Sequence, residues 1–175
     1  MPETPDQIEH LISQATAADV QAVAELCLMV EHQHEEYSPL RWGLRPDISQ
    51  RYPQWLSRVI TDSQWLVLCA RVKEPAKVPS MVQTRLAGVL VANLMDEIPI
   101  YICTRYAFIH EIAVYPEFRR RGVATALLKE SRHWAEEQGV SQVRLMAAEM
   151  NPVAQALFTR AGYQTTFREM IQPTM

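Results

Sequence analysis

The sequence is poor in cysteine and has no strong excess of charge of either sign. Its three cysteines, Cys27, Cys69 and Cys103, stand far apart in apolar stretches. Disulfide frameworks and zinc sites need paired spacings, so we expect reduced thiols and no metal site. Seventeen Lys and Arg residues against twenty Asp and Glu residues give a formal net charge of -3. The broad basic surface of a nucleic-acid-binding protein is therefore missing, and we expect no such partner.

Long hydrophobic runs and a leader-like start are also missing. The stretches WLVLCA (65–70) and GVLVANL (88–94) are too short to cross a bilayer. The start, MPETPDQIEH, has prolines and acidic residues where a secretion signal has a basic region and an apolar core. We therefore expect a cytoplasmic protein without membrane contact. A chain of 175 residues, 48% of them hydrophobic, can bury one sizeable core, which predicts a single domain over 1–175.

What is present is a change of periodicity along the chain. Apolar residues recur at helical spacing after Thr16 and Asp19, which have capping-box spacing, and a second helical region over 47–60 should break or bend near Pro53. Further helices are expected at 122–138 and 151–162. Strands are expected at 64–72, 84–95, 107–114, 141–150 and 163–172, with a proline-containing connection at 73–80. After residue 107 strand and helix alternate, which indicates a mixed α/β chain.

The stretch FRRRGVATALL (118–128) places a glycine at the start of a predicted helix, directly after three arginines. The first N–H groups of a helix are unpaired and carry partial positive charge, so they bind phosphate well. Gly122 lets a phosphate approach the backbone, Ala124 keeps the next turn uncrowded and Thr125 can add a hydroxyl. The charged side chains at the rim would be Arg119, Arg120 and Arg121. Dinucleotide and nucleoside-triphosphate glycine patterns are absent, so we expect the diphosphate of another ligand.

Two motifs, in this order, resemble those of the GCN5-related N-acetyltransferases (GNAT). PEFRRRGVA, which follows a strand ending in IAV, is similar to the family's R/Q-x-x-G-x-G/A acetyl-CoA signature. NPVAQALFTRAGY is similar to its N-x-x-A-x-x-L-Y-x-x-x-G-F segment. The motifs lie within 107–164, the expected acetyl-CoA core, and the order of elements agrees over 8–172. The resemblance implies a central mixed sheet of about six strands flanked by helices.

The resemblance also implies a reaction and a coenzyme site. Members of the family transfer the acetyl group of acetyl-CoA directly to a primary amine. The pantetheine arm of the coenzyme pairs with the backbone of a splayed strand, as an added strand would. By analogy the backbone of Ile112, Ala113 and Val114 would pair with pantetheine, and the Val114 N–H would polarise the thioester carbonyl. Residues 120–125, Val123 among them, would hold the diphosphate. Asn151 would lie near pantetheine, although a helix cap alone would explain it. Dimers are common in the family, so a homodimer is one expected state.

Acetylation requires a neutral amine, and a free alkylamine with a pKa near 10.4 is almost wholly protonated at pH 7. By the two-residue period of a strand, His110 shares a face with Ile112 and Val114, and imidazole titrates near neutral pH, so His110 is one candidate base. Glu111 is the second candidate. It would point to the opposite face of a regular strand, although a β-bulge would change that. Each residue also has a plain structural interpretation, as a core histidine and as an ion-paired strand residue.

The sequence departs from the family pattern at Phe158, which is expected beside the coenzyme. Many members carry a tyrosine there that protonates the departing thiolate, and phenylalanine donates no proton. The proton would then come from water, Tyr115 or Tyr163, or no acid is needed. Of these residues, Tyr163 better suits an aromatic position in the core. The departure leaves an alternative open, a non-catalytic acyl-CoA-binding regulator with the same fold.

Acidic residues suggest the type of acceptor. EHQHEEYSP (31–39) ends the first predicted helix, and Asp96 with Glu97 lies in another loop that should border the acceptor. Carboxylates there would favour a small cationic amine such as a polyamine, an aminosugar or a lysine-like group. The alternative is that these side chains are merely solvated at a helix end.

Overall fold

The computed structural model describes residues 10–74 and 83–174 and shows a sheet with helices on both faces. The strands are β1 (His10–Gln14), β2 (Trp65–Glu74), β3 (Gln83–Asp96), β4 (Arg105–Val114) and β5 (Val143–Leu145). They lie in the order β1-β2-β3-β4-β5 and are antiparallel except for the parallel pair of β4 and β5. The mixed sheet confirms the predicted fold class, with five strands in the described part of the chain instead of about six.

Helices connect and cover these strands. They are α1 (Val20–Tyr37), α2 (Pro39–Trp42), α3 (Ile48–Val59), α4 (Val123–Glu137) and α5 (Pro152–Arg160). The predicted capping box precedes α1, because the Thr16 N–H donates to Asp19 Oδ2 at 2.8 Å. Such a cap satisfies backbone donors that the first turn leaves unpaired.

The sheet has a hydrophobic core on each face. The α4–α5 core lies between the sheet and helices α4 and α5 and includes Leu90, Leu127 and Phe158. The α1–α3 core lies on the opposite face and includes Leu26 and Leu56. Complete burial of one such side chain contributes roughly 1.5–3 kcal/mol. The two cores therefore fix the helices on either side of β4.

Several predicted elements differ from the observed ones. Residues 164–174 have no regular secondary structure, so the last predicted strand is wrong; their side chains are exposed, and no packed face holds them in a strand register. The strand predicted at 141–150 is confined to β5, whereas β1 and α2 form where no element was predicted. Residues 1–9 and 75–80, the latter within the predicted connection, lie outside the described residues.

Helix α3 continues through Pro53, so the predicted break is not present. A proline removes one helical hydrogen bond and crowds the preceding turn. Tyr52, Leu56 and Val59 are buried on one side of α3, and this packing holds the helix together across the proline.

Strand β4 contains a bulge at its centre. Glu111 lies opposite Val91 and Ile109 lies opposite the next β3 residue, Ala92, so His110 is an extra residue without its own partner. Two residues on one strand then face one on the other, and the alternation of side chains shifts by one beyond that point.

The main-chain hydrogen bonds show the same shift. The Ala107 N–H donates to Gln142 O on the β5 side of the strand, at 3.0 Å. The Tyr115 N–H donates to Ala87 O on the β3 side, also at 3.0 Å. In an unbroken strand, N–H groups eight residues apart point the same way. The bulge therefore reverses the direction of every backbone group that follows it in β4.

Candidate active site

A cleft opens where β4 and β5 separate. The two strands pair only between Ala107–Ile109 and Val143–Leu145. Beyond the last pair lies a cleft of about 60 Å³, which is bordered by residues 109–112 of β4, by residues 145–148 at and after the end of β5, by α5, and by Val30 and His34 of α1. The predicted splay of two parallel strands is therefore present in the structure.

The backbone of β4 presents donors to this cleft. Because the Tyr115 N–H points to β3, the N–H groups of Val114 and Ile112 point away from β3, toward the open side. Their side chains pack against the α4–α5 core, whereas that of Ala113 is buried in the α1–α3 core. These residues can thus contact a ligand through main-chain groups, as the resemblance implies.

The predicted phosphate-binding turn leads directly into α4. Gly122 is the N-cap of the helix, with φ at 86°, and Arg120 has φ at 64°. The Val123 side chain is buried in the α4–α5 core, so only its backbone can contact a ligand. Ala124 is half-buried and Thr125 is exposed. The N–H groups of this first turn have no partner within the helix, which suits a diphosphate.

The three arginines of this turn differ in position. Arg119 Nε donates to Val114 O at 3.1 Å, so its guanidinium group is held against the end of β4. Arg120 and Arg121 are exposed beside the start of α4. We therefore expect the last two, more than Arg119, to supply charge at the rim of the diphosphate site.

Helix α5 contributes Asn151 and Phe158 to the β4–β5 cleft. Asn151 Oδ1 accepts the Ala154 N–H at 3.0 Å, so Asn151 caps the helix while it borders the cleft. Phe158 is buried, and its ring centroid lies 5.9 Å from that of Tyr163. Burial raises the pKa of Tyr163 to about 12, and its ring packs against the α4–α5 core, in agreement with the predicted core position.

Glu111 is a buried carboxyl group at the end of this cleft, with 8% of its surface exposed. The Tyr52 hydroxyl donates a hydrogen bond to Glu111 Oε1. Oε2 is buried and has no hydrogen-bond partner among the described residues. Burial, and then the nearby Glu31 carboxylate, raise the pKa of Glu111 to about 7, against the opposing effect of the Tyr52 hydrogen bond. The carboxyl group can therefore exchange a proton near neutral pH.

His110 does not share a face with Ile112 and Val114, so that prediction is wrong, and the cause is the bulge. Its ring stacks on Trp65 at 5.2 Å, on the α1–α3 side of the sheet. Its Nε2 lies 2.8 Å from Asn93 Oδ1. Burial lowers the pKa of His110 below its usual value of 6.5, so the ring is neutral at pH 7. The bulge thus places both candidate bases on one face.

A second cavity lies on the α1–α3 side, and we call it the α3 cavity. Its volume is about 300 Å³, and its lining consists of Ile48, Arg51, Tyr52, Trp55, His110 and Glu111. His110 and Glu111 also border the β4–β5 cleft. The two candidate bases therefore border both the α3 cavity and the β4–β5 cleft.

The part played by α3 was missed from the sequence. Ile48, Tyr52 and Trp55 follow helical spacing and face the α3 cavity together. Their spacing signals an apolar helix face, for which core packing is the usual interpretation. Nothing local to α3 reveals that part of this face borders a cavity opposite β4.

Of the acidic residues predicted to face the acceptor, Glu31 lies close enough to Glu111 to raise its pKa, whereas three others are held elsewhere. Asp96 pairs with Arg105 at 3.4 Å, and Glu97 pairs with Arg144 at 2.6 Å. Glu35 accepts the Leu44 N–H at 2.8 Å. None of these carboxylates lines either space.

The described residues, 10–74 and 83–174, contain neither a candidate metal cluster nor a candidate membrane span. Within those ranges no group of three or more His, Cys, Asp or Glu side chains is arranged to hold a metal ion. No helix there has both the length and the apolar character needed to cross a membrane.

Comparison with known proteins agrees with this geometry. A sequence model described as "Acetyltransferase (GNAT) family" matches residues 28–163. Aminoglycoside N(6')-acetyltransferase type 1 of Acinetobacter baumannii is 28% identical over 138 residues, 79% of this chain and 89% of that protein. Its counterpart from Acinetobacter genomosp. 13 is 28% identical over 129 residues, 74% and 83% of the two chains.

Solved structures share the fold. AAC(6')-Ih of Acinetobacter baumannii, an aminoglycoside 6'-N-acetyltransferase, superposes with a TM-score of 0.68 at 22% identity over 95% of this chain and 99% of that one. AAC(6')-Iy, solved in complex with CoA, has a TM-score of 0.69 at 18% identity over 97% of both chains. The solved structures show that the fold is shared, and the two curated relatives, both named as acetyltransferases, do not favour a non-catalytic regulator. The chain belongs to the GNAT family and is an acetyltransferase that uses acetyl-CoA and an amine acceptor.

Proposed function

We propose that the protein acetylates a primary amino group of a small acceptor that is cationic in water, with Glu111 as the general base. The observation that supports this proposal is the position of Glu111 between the two spaces, with Oε2 unpartnered within the described chain. A base with a pKa of about 7 combines a useful deprotonated fraction with a useful affinity for the proton.

In this proposal the acceptor enters through the α3 cavity and the thioester reaches the site through the β4–β5 cleft. Glu111 removes a proton from the ammonium group, and the neutral nitrogen attacks the thioester carbonyl carbon. The Val114 N–H donates to the oxygen that becomes negative as the C–N bond forms. The C–S bond then breaks, and the nitrogen loses its second proton, which passes through water to the departing thiolate. The products are the amide and coenzyme A, and no acetyl-enzyme forms.

The leaving thiolate needs no side-chain acid. A thiol has a pKa near 8.5, so its thiolate is a good leaving group and can take a proton from water. Phe158 at the cleft wall is compatible with this course because it only has to pack. The Tyr163 hydroxyl, with its pKa raised to about 12, is a poor substitute donor.

His110 stays a second candidate for the base. Its Nε2 is next to Asn93 Oδ1, and its ring stacks on Trp65, so a structural role in packing also explains these contacts. The two candidates predict different pH dependences, because the pKa of Glu111 is about 7 and that of His110 lies below 6.5.

The names of the relatives suggest one acceptor class to test. Both Acinetobacter relatives are named for aminoglycosides, which carry primary amino groups. The defining experiment measures free-thiol release from acetyl-CoA with a panel of amines, for the parent and for Glu111→Gln. Amine-dependent release that Glu111→Gln abolishes supports the proposal. Equal rates in the two proteins would remove Glu111 from the proton transfer.

A further inference from the structure

We infer that the acceptor is a monoamine whose amino group is carried on a flat, apolar body, such as an arylalkylamine, and not a polycation such as an aminoglycoside. This inference rests on the proposed function, since it assigns the α3 cavity to the acceptor. It is carried by the rings that surround the cavity, by the charges on its wall and by its volume.

The rings of Tyr52, Trp55 and His110 line the α3 cavity, and the Trp65 ring packs against two of them. The rings of Tyr52 and Trp55 meet edge to face at 5.2 Å, and those of Trp55 and Trp65 at 5.3 Å. Trp65 in turn stacks on His110 at 5.2 Å. The three lining rings can pack against a bound aromatic group in the offset or edge-to-face arrangements that such rings prefer, in addition to burying its apolar area.

The charges around the cavity suit one ammonium group and no more. Glu111 is the one carboxyl group among the six lining residues. Arg51, which also lines the cavity, is paired with Asp47 at 2.5 Å, so this pair leaves little net charge at the wall. A second or third ammonium group that entered the cavity would therefore find no further carboxylate among the lining residues to offset its desolvation.

The volume of the cavity is about 300 Å³, and the cavity is open to solvent. It can take the ring and the amino group of an arylalkylamine such as phenethylamine. The further sugar rings of an aminoglycoside would lie outside it and would gain nothing from its aromatic lining.

The test measures both binding and turnover with phenethylamine, cyclohexylethylamine, spermidine and kanamycin. In the presence of coenzyme A, calorimetry should show phenethylamine binding at least tenfold more tightly than spermidine or kanamycin. The order of kcat/KM should be the same. Cyclohexylethylamine, which is apolar but not flat, should fall between the two groups.

A charge reversal inside the cavity provides a second readout, with a matched control. Arg51→Glu should raise kcat/KM for spermidine tenfold or more relative to phenethylamine, because it adds a carboxylate to the cavity wall. Arg58→Glu makes the same charge change at an exposed position of α3 outside the cavity, and it should leave the ratio unchanged.

The outcomes separate this inference from the function on which it rests. Spermidine or kanamycin binding as tightly as phenethylamine would overturn the inference, even if every amine on the panel is acetylated. An unchanged ratio in a folded Arg51→Glu variant would overturn it as well. Tight binding of phenethylamine without acetylation would instead contradict the proposed function while supporting the assignment of the cavity.

Discussion

A carboxyl group that is buried beside a second carboxyl group holds its proton more firmly than the same group in water. Glu111 is in this position, because burial and Glu31 raise its pKa while Tyr52 donates to the ionised form and partly opposes the rise. The result is a pKa of about 7. The pKa of this one side chain depends on residues of α1, α3 and β4.

Replacement of Glu111 by glutamine should lower kcat about a hundredfold or more and leave the affinity for acetyl-CoA nearly unchanged, because loss of a base affects the transition state. The base acts in its deprotonated form, so the parent's rate should rise with pH through about 7 and this limb should vanish in the variant. Stopped assays of thiol release between pH 5 and 9 measure both effects.

His110→Ala is the control for that experiment. The rate of this variant should still rise with pH through about 7. It should be lower than that of the parent because the His110 side chain no longer lines the cavity. A limb that lies below pH 6.5 in the parent and disappears in His110→Ala would transfer the role of base to His110.

Tyr52→Phe should move the same limb to higher pH. The variant removes the hydrogen bond that stabilises the Glu111 carboxylate, so the pKa of Glu111 rises further. A plot of kcat against pH for the variant and the parent shows the shift. If Tyr52 had only a structural role, the rate of the variant would be lower at every pH and the midpoint of its pH profile would not move.

At the scale of elements, the start of α4 could be predicted from the sequence because its signals are local. A glycine before a helix and small residues in the first turn lie within one short stretch, and the structure shows Gly122 as the N-cap. The bulge in β4 could not be predicted in this way. It is defined by the pairing of β4 with β3, and this pairing joins residues that are about twenty positions apart.

Gly122→Val should weaken acetyl-CoA binding at least tenfold. Residue 122 has φ at 86°, which a β-branched residue adopts only with strain, and a side chain there would also crowd His10. Arg120→Ala should weaken binding less, and its effect should shrink as salt is added, because the exposed charge is screened. Calorimetric titrations at low and high salt measure both. Full affinity of Gly122→Val at low salt would exclude this turn as the diphosphate site.

For the molecule as a whole, the mixed sheet and the alternation of strand and helix after residue 107 followed from hydrophobic periodicity and the two motifs, and the structure confirms both. The last predicted strand did not form, because its alternating residues, such as Phe167, find no core to face. The acceptor side was the least predictable part. The α3 cavity lies between a helix and a strand about sixty residues apart in sequence, and no local pattern encodes their contact.

The stability of the whole fold should reflect Glu111. Its pKa rises from 4.5 to about 7 on folding, so the folded state holds a proton that the unfolded state releases between these values. The contribution of this one group to stability is therefore complete below about pH 4.5 and falls as pH rises toward 7, by up to roughly 3 kcal/mol in total. Relative to the parent, Glu111→Gln should gain in Tm between pH 5 and 8. Parallel Tm curves in thermal unfolding would contradict a raised pKa.

The extra residue in β4 also has a consequence for comparing this chain with its relatives. Side chains of β4 can be assigned to faces of the sheet by counting back from Val114 or by counting forward from Ala107, and the two counts place the same position on opposite faces. The cause is His110, which has no counterpart on β3. An alignment that pairs β4 without a gap to a relative lacking this insertion is therefore out of step on one side of residue 110. Equivalent bases in such a relative should be found by superposing backbones, with a one-residue gap at His110, and not by column number.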